Sequence, residues 1–245
     1  MSGQAARLGF TLAEVLITLG IIGVVAALTM PSLIANYKNK VYVNQLKKAY
    51  SVISQGIQKM YVDNGCVDWS CMALSDTQIN DKDFMISLFS KSFNIVQTDT
   101  KGGKLDYVNK LYSPEKDDAV TSIEYLFSFI LEDGSTWYYL GTMMYSNELG
   151  FYVDINGKGK GPNKSGRDIF VLTLSSKGVI VPTLSRQHWE AVCSSPVSNH
   201  ECTPKEMADA YEPAMYVDCS KNGAQSITSM SCLFRIIKDN WEMNY

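Results

Sequence analysis

Glu14 is the most pointed chemical feature of this chain. It is the single charged residue in the twenty positions from Thr11 to Met30. A run of that length and composition spans a bilayer as a helix, and a carboxylate within it is costly unless it meets a positive partner. Ion pairing in apolar surroundings is therefore the chemistry expected of Glu14. The plainer alternative is a helix-end glutamate that snorkels to the headgroups.

A second constellation runs from Asp154 through Asn156 and Gly157 to Asp168. Aspartate and asparagine alternating up to a glycine resemble the start of a calcium loop, where side-chain oxygens gather along a tight turn. Asp168 would close the shell. Lys158, Lys160, Lys164 and Arg167 share the loop, and the distal glutamate of a full calcium loop is missing. The preferred reading is structural, with the Asp and Asn side chains folding the loop by accepting backbone amides. No cofactor is expected, and calcium at Asp154, Asn156 and Asp168 is the secondary reading.

Six cysteines, Cys66, Cys71, Cys193, Cys202, Cys219 and Cys232, all follow the apolar run. An even count on one side of a membrane suits an oxidising compartment. Six cysteines allow fifteen pairings; pairing of sequence neighbours, Cys66–Cys71, Cys193–Cys202 and Cys219–Cys232, is the simplest. His188 and His200 flank Cys193 and Cys202, but their spacing fits no common zinc finger, so a disulfide is preferred there to a metal. Nucleophile-elbow, zinc-protease and phosphate-loop motifs are absent. The chain is not expected to be an enzyme.

These residues need elements to hold them. After Pro31, expected to kink or relax the first helix, Ile34, Tyr37, Val41, Leu46, Ala49, Ile53, Ile57 and Met60 recur mostly at three- and four-residue steps. That is an amphipathic continuation of the same helix to about Tyr61, roughly 75–80 Å in all. Asp63-Asn64-Gly65 stops it. Residues 66–120 are irregular apart from one short helix over Asp81–Phe93, a turn at 101–104 and a charged loop at 113–120. A meander then follows: Ile123–Leu131, a hairpin turn at Glu132-Asp133-Gly134-Ser135, Thr136–Met144, Gly150–Ile155, Asp168–Leu174, a turn at 175–178 and Val179–Val181. Helices are expected over 184–192 and 228–238. The fold class is α+β, a long N-terminal helix laid on an antiparallel sheet with a cysteine-clipped C-terminal region.

Charge is unevenly placed. Residues 10–62 hold five Lys and one Glu, whereas residues 63–245 hold 16 Lys and Arg against 24 Asp and Glu. The second part lacks the net positive charge of a nucleic-acid-binding domain, and no nucleic-acid partner is expected.

The N-terminal residues add specificity. MSGQAARLG is a short polar leader, and Gly9-Phe10-Thr11-Leu12-Ala13-Glu14 is followed by the apolar run and Pro31. This arrangement resembles the prepilin signal of type IV pilins and type II secretion pseudopilins. The resemblance implies a leader at 1–9, cleavage after Gly9 by a prepilin peptidase and methylation of the Phe10 amine. It implies a helix over 10–62, transmembrane over about 11–30, and an exported domain over 63–245. It pairs Glu14 with the Phe10 amine of a neighbouring subunit, and implies other subunits, an inner-membrane assembly platform and membrane lipid as partners. The expected location is the inner membrane, with the C-terminal domain outside the cytoplasm, then a pilus or pseudopilus. A stretch of the form D-x-N-G, G-P-N, G-x-D-x-F recurs in such sequences, where it looks structural.

Two observations pull the other way. Ala26-Ala27 and Ala35 imitate a secretory cleavage site, though that reading leaves Glu14 and Gly9 unexplained. Arg7 alone precedes the span while Lys38, Lys40, Lys47 and Lys48 follow it, which the positive-inside rule alone would not assign to an outside C-terminus. The motif and the cysteines outweigh it. The expected role is that of a structural subunit; the alternative is a minor subunit whose exported domain binds a surface, a secreted substrate or DNA. The length and the irregular segments 63–120 and 183–245 mildly favour a specialised subunit.

Overall fold

The computed structural model describes residues 11–67, 70–105, 124–142, 149–174, 180–181, 219 and 232–244. The chain divides into two compact units, residues 1–41 and 42–245. One helix, α1 (Leu12–Asp63), contributes to both and carries Pro31 in its interior.

From Val15 to Met30, within the first unit, α1 is apolar on every side. Leu12, Leu16, Ile22, Leu28 and Leu33 are all more than half exposed. A helix of this kind is stable only where lipid or other helices cover it. By length and composition it can cross a membrane.

In the second unit α1 buries Leu46, Ala49, Ile53, Ile57 and Met60, with Val43 at the start of the stripe. The three- and four-residue steps put these side chains on one face. The expected stripe began higher, at Ile34 and Tyr37, but these remain exposed at 51% and 68%. They belong to the first unit, in which no described residue is buried.

The end of α1 is fixed by backbone chemistry. Cys66 N–H donates to the Tyr61 carbonyl and Gly65 N–H to that of Val62, with Gly65 at φ +67°. This is a Schellman motif, in which glycine takes the left-handed position that a side chain would strain. The Cys66–Cys71 disulfide follows directly. Then come a 3-10 turn (Ser70–Met72), α2 (Asp76–Ile79) and α3 (Lys82–Ser92). Asp81 caps α3 by accepting from Phe84 N–H.

Among the described residues eight strands follow: β1 (Ile95–Asp99), β2 (Gly103–Lys104), β3 (Glu124–Tyr125), β4 (Phe127–Leu131), β5 (Thr136–Thr142), β6 (Leu149–Asp154), β7 (Ile169–Leu174) and β8 (Ile180–Val181). Six of them form one antiparallel sheet in the order β1-β4-β5-β6-β7-β8, and β2 pairs with β3 apart from it. The register places Phe129, Trp137, Val153 and Phe170 in one row, and Phe127, Tyr139, Phe151 and Leu172 in the next. Both rows lie in the core that α1 covers. Phe89 of α3 sits among them, its ring 5.5 to 6.1 Å from those of Phe127, Phe129, Tyr139 and Phe151. Tyr138, Tyr152 and Val171 on the other face are buried too.

The C-terminal helix, α4 (Cys232–Lys238), adds Leu233 and Ile236 to the core. Cys219–Cys232 ties its first residue to the preceding chain, and Arg235 donates to the Cys219 carbonyl. Beyond α4, Trp241 packs edge-on against Tyr50 of α1 at 5.7 Å.

Two expectations are corrected. The strand β1 and the short α2 went unforeseen in a segment read as irregular. The single strand read over Ile123–Leu131 breaks at Leu126 within its described part, because Glu124 and Tyr125 pair with β2 while Phe127 onward pairs with β5. The helix expected over Asp81–Phe93 runs from Lys82 to Ser92, capped by Asp81 and burying Met85, Leu88 and Phe89. The leader, the loop at 113–120, the turn at 175–178, the helix at 184–192 and the Cys193–Cys202 pair lie outside the described residues.

Candidate functional site

Two groups of side chains carry the chemistry singled out above, one in each unit. In the first, Thr11 N–H and Thr11 Oγ1 both donate to Glu14 Oε2, at 2.9 and 2.8 Å, while Glu14 N–H donates to Thr11 Oγ1 at 3.3 Å. This is a capping box, Thr at the N-cap and Glu three residues on, satisfying helix-end donors reciprocally. The T-x-x-E spacing of Thr11 and Glu14 is the sequence signal for this pairing. The consequence is positional. The carboxylate is held at the first turn of α1, where the helix dipole favours negative charge, and not left to wander along the apolar surface. Gly9 and Phe10 lie outside the described residues.

The second group is the β6–β7 connection. Asp154 ends β6 and Asp168 immediately precedes β7, and both are fully buried. Asp168 organises the loop. Its Oδ1 accepts from Lys164 N–H at 2.6 Å, and its Oδ2 from Asn163 N–H at 2.7 Å and Asn156 Nδ2 at 3.2 Å. Asp154 Oδ1 accepts from Gly157 N–H at 2.9 Å. Gly157 has φ +92°, and a Cβ there would overlap the Gly134 carbonyl of the β4–β5 turn; glycine is required twice over. Asn156 Nδ2 also reaches the Gly161 carbonyl at 3.3 Å. Most of this supports the structural reading of the D-x-N-G stretch.

The electrostatics show what those amides offset. Burial pushes the Asp154 carboxyl up to about 7, helped by the nearby Asp168 charge, while the amides of Gly157 and Asn156 and the Lys160 charge pull it back. Burial also raises Asp168 against its three N–H donors. Tyr42 on α1 is raised by burial and by the Asp168 charge, with Arg167 opposing, which places the start of the packed helix within the field of this loop. Three side-chain oxygens of the loop remain buried without a hydrogen-bond partner: Asp154 Oδ2, Asn156 Oδ1 and Asn163 Oδ1. Asn163 was not among the sequence candidates; only its place in the G-P-N triplet could have drawn attention to it.

Elsewhere, an open groove of about 540 Å³ lies between α1, the end of α3 and the β4–β5 turn, lined by Lys48, Lys59, Phe93, Asn94, Glu132 and Asp133 among others. Lys48 and Asp133 pair across its rim at 3.4 Å. Phe93 packs so closely on Gly56 that any side chain there would displace the ring. Among the described residues no three His, Cys, Asp or Glu side chains gather as a metal cluster; His188, Cys193, His200 and Cys202 lie outside them. Of the expected disulfides, Cys66–Cys71 and Cys219–Cys232 are present. No family model, curated protein or solved structure matches the chain.

Proposed function

We propose that this chain is a structural subunit of a type IV pilus or a type II secretion pseudopilus. It is cut after Gly9 by a prepilin peptidase and methylated on the Phe10 amine. The first part of α1 holds it in the inner membrane, with the folded domain outside the cytoplasm, until it joins a filament of pilin-like subunits at the assembly platform. One observation carries this reading: four residues past Phe10 stands a carboxylate fixed at the head of a helix whose first part is apolar on every side. In a plain membrane anchor such a carboxylate would serve only as a helix cap. In a subunit that packs against others through this helix it has a second role, because the charge then meets a neighbour's amine. The disulfides suit a domain that works outside the cytoplasm.

The groove beside Lys48 and Asp133 favours the second reading, a minor subunit whose domain binds a surface, a secreted substrate or DNA. Mixed apolar and charged walls around a concavity are the ordinary form of a recognition site. Quantifying the protein in sheared surface filaments tests the proposal. A dominant band is the result expected of a structural subunit, and a trace amount that co-purifies with the filament points to the minor one. Absence from filament and pseudopilus fractions alike contradicts both.

A further inference from the structure

We propose, on the reading that α1 spans the inner membrane with the domain outside, that Tyr37, Lys38 and Lys40 form a collar that binds the phosphates of anionic phospholipids at the outer face of that membrane. The apolar surface of α1 continues past Met30, because Leu33 and Ile34 are both exposed. Leu12 to Ile34 makes about 35 Å of helix. That is a few Å more than a hydrocarbon core of about 30 Å, and a modest tilt takes up the difference. Ile34 then stands at the hydrocarbon boundary. Tyr37, Lys38 and Lys40 follow about 4–9 Å further along the axis, at the depth of the lipid headgroups.

These residues share one side of the helix. Lys38 follows Ile34 by four positions, Lys40 follows Leu33 by seven, and Tyr37 stands four after Leu33 and three before Lys40, which are the spacings of a single face. Helical side chains lean toward the N-terminus, so both lysines reach back toward the apolar run. Tyr37, Lys38 and Lys40 are all exposed. A tyrosine with a bare ring and a polar tip suits the edge of a bilayer. The lysines lack acidic partners of their own. Residues 15–62 hold five Lys and no Asp or Glu, and among the described residues no ion pair engages Lys38 or Lys40. Ammonium groups at headgroup depth are complementary to phosphate oxygens. A zwitterionic lipid already neutralises its own phosphate, so an anionic lipid is the occupant that gains. Lysines just past a span oppose its export, and a phosphate partner at the outer face gives these two a role there.

The test places the full chain in phosphatidylcholine bilayers that carry a trace of spin-labelled lipid, and measures the share of label held against the protein. Spin-labelled phosphatidylglycerol should be held about fivefold more strongly than spin-labelled phosphatidylcholine in about 0.1 M salt, the gain expected of one ammonium per phosphate. The preference should fall below about twofold in about 1 M salt, where charges are screened within about 3 Å. Lys38→Gln, Lys40→Gln should abolish it at low salt, and glutamine is as good a helix former as lysine. Lys47→Gln, Lys59→Gln makes the same change in charge further along α1 and should keep the preference. Equal retention of both labels by the inserted wild type, a full preference in Lys38→Gln, Lys40→Gln, or an equal loss in Lys47→Gln, Lys59→Gln overturns the collar and leaves the spanning helix standing. Equal retention together with a low filament yield in Lys38→Gln, Lys40→Gln overturns it in favour of a contact between subunits. A chain that alkaline carbonate strips from the bilayers overturns the spanning reading, and the collar with it.

Discussion

Replacing Glu14 by alanine should leave leader removal intact and lower the yield of assembled filament at least tenfold. The geometry says why the effect falls on assembly. Among the described residues Glu14 bonds to its own helix end, through Thr11, and losing a cap of that kind costs about 1 kcal/mol. In a packed bundle of these helices the same carboxylate would neutralise a neighbour's amine. An unpartnered charge left in such a place costs roughly 3–5 kcal/mol, more than enough for a tenfold loss. Glu14→Gln separates the two roles. Glutamine still accepts from Thr11 N–H at the N3 position of a capping box, but it carries no charge. If the charge is what matters, glutamine should fail like alanine. Normal filament yield from Glu14→Gln would mean that the residue serves only as a cap.

The second large effect is expected at the C-terminal clip. Cys219 and Cys232 are both buried, and their disulfide closes a loop with a sequence separation of 13. Removing it as a Cys219→Ser, Cys232→Ser double variant should cost about 3 kcal/mol by freeing the unfolded chain, or roughly 6–12 °C in Tm for a domain of this size. α4 is the element at stake. It brings Leu233 and Ile236 into the core, and its first residue is the bridged cysteine. Limited proteolysis should release C-terminal peptides from the double variant and spare the wild type. The Cys66–Cys71 pair closes a shorter loop around a helix end already held by two backbone bonds, so its loss should cost less. An unchanged Tm and protease pattern in the Cys219→Ser, Cys232→Ser protein would contradict this ranking.

The parts of the fold that were legible are those set by local chemistry. Asp63-Asn64-Gly65 stops α1 through a glycine in the left-handed region, and Asp133-Gly134 makes the β4–β5 turn through another. The alternation in Phe127–Leu131 and its neighbours marked the meander, because the aromatic side chains of one face share the core with Phe89. What escaped is set by distant partners. Ile95–Asp99 is an edge strand with only Ile95 and Thr98 half-buried, so it carries little periodicity; pairing with β4 makes it a strand. Leu126 breaks a regular alternation because two different partners claim the residues on either side. At the candidate sites, Glu14, Asp154 and Asp168 were visible by charge and spacing. Thr11 is marked only by the short T-x-x-E spacing, and Asn163 is an ordinary polar residue whose part emerges from its contacts.

The central claim is that Phe10 becomes the N-terminus and that the apolar helix stays with the mature protein. Intact mass of the purified protein, with N-terminal sequencing, tests it most directly. The account predicts a chain running from Phe10 with one added methyl group on its amine and both disulfides at Cys66–Cys71 and Cys219–Cys232 formed. A chain that still begins at Met1, or one that begins after Ala27 with the apolar helix removed, would contradict it.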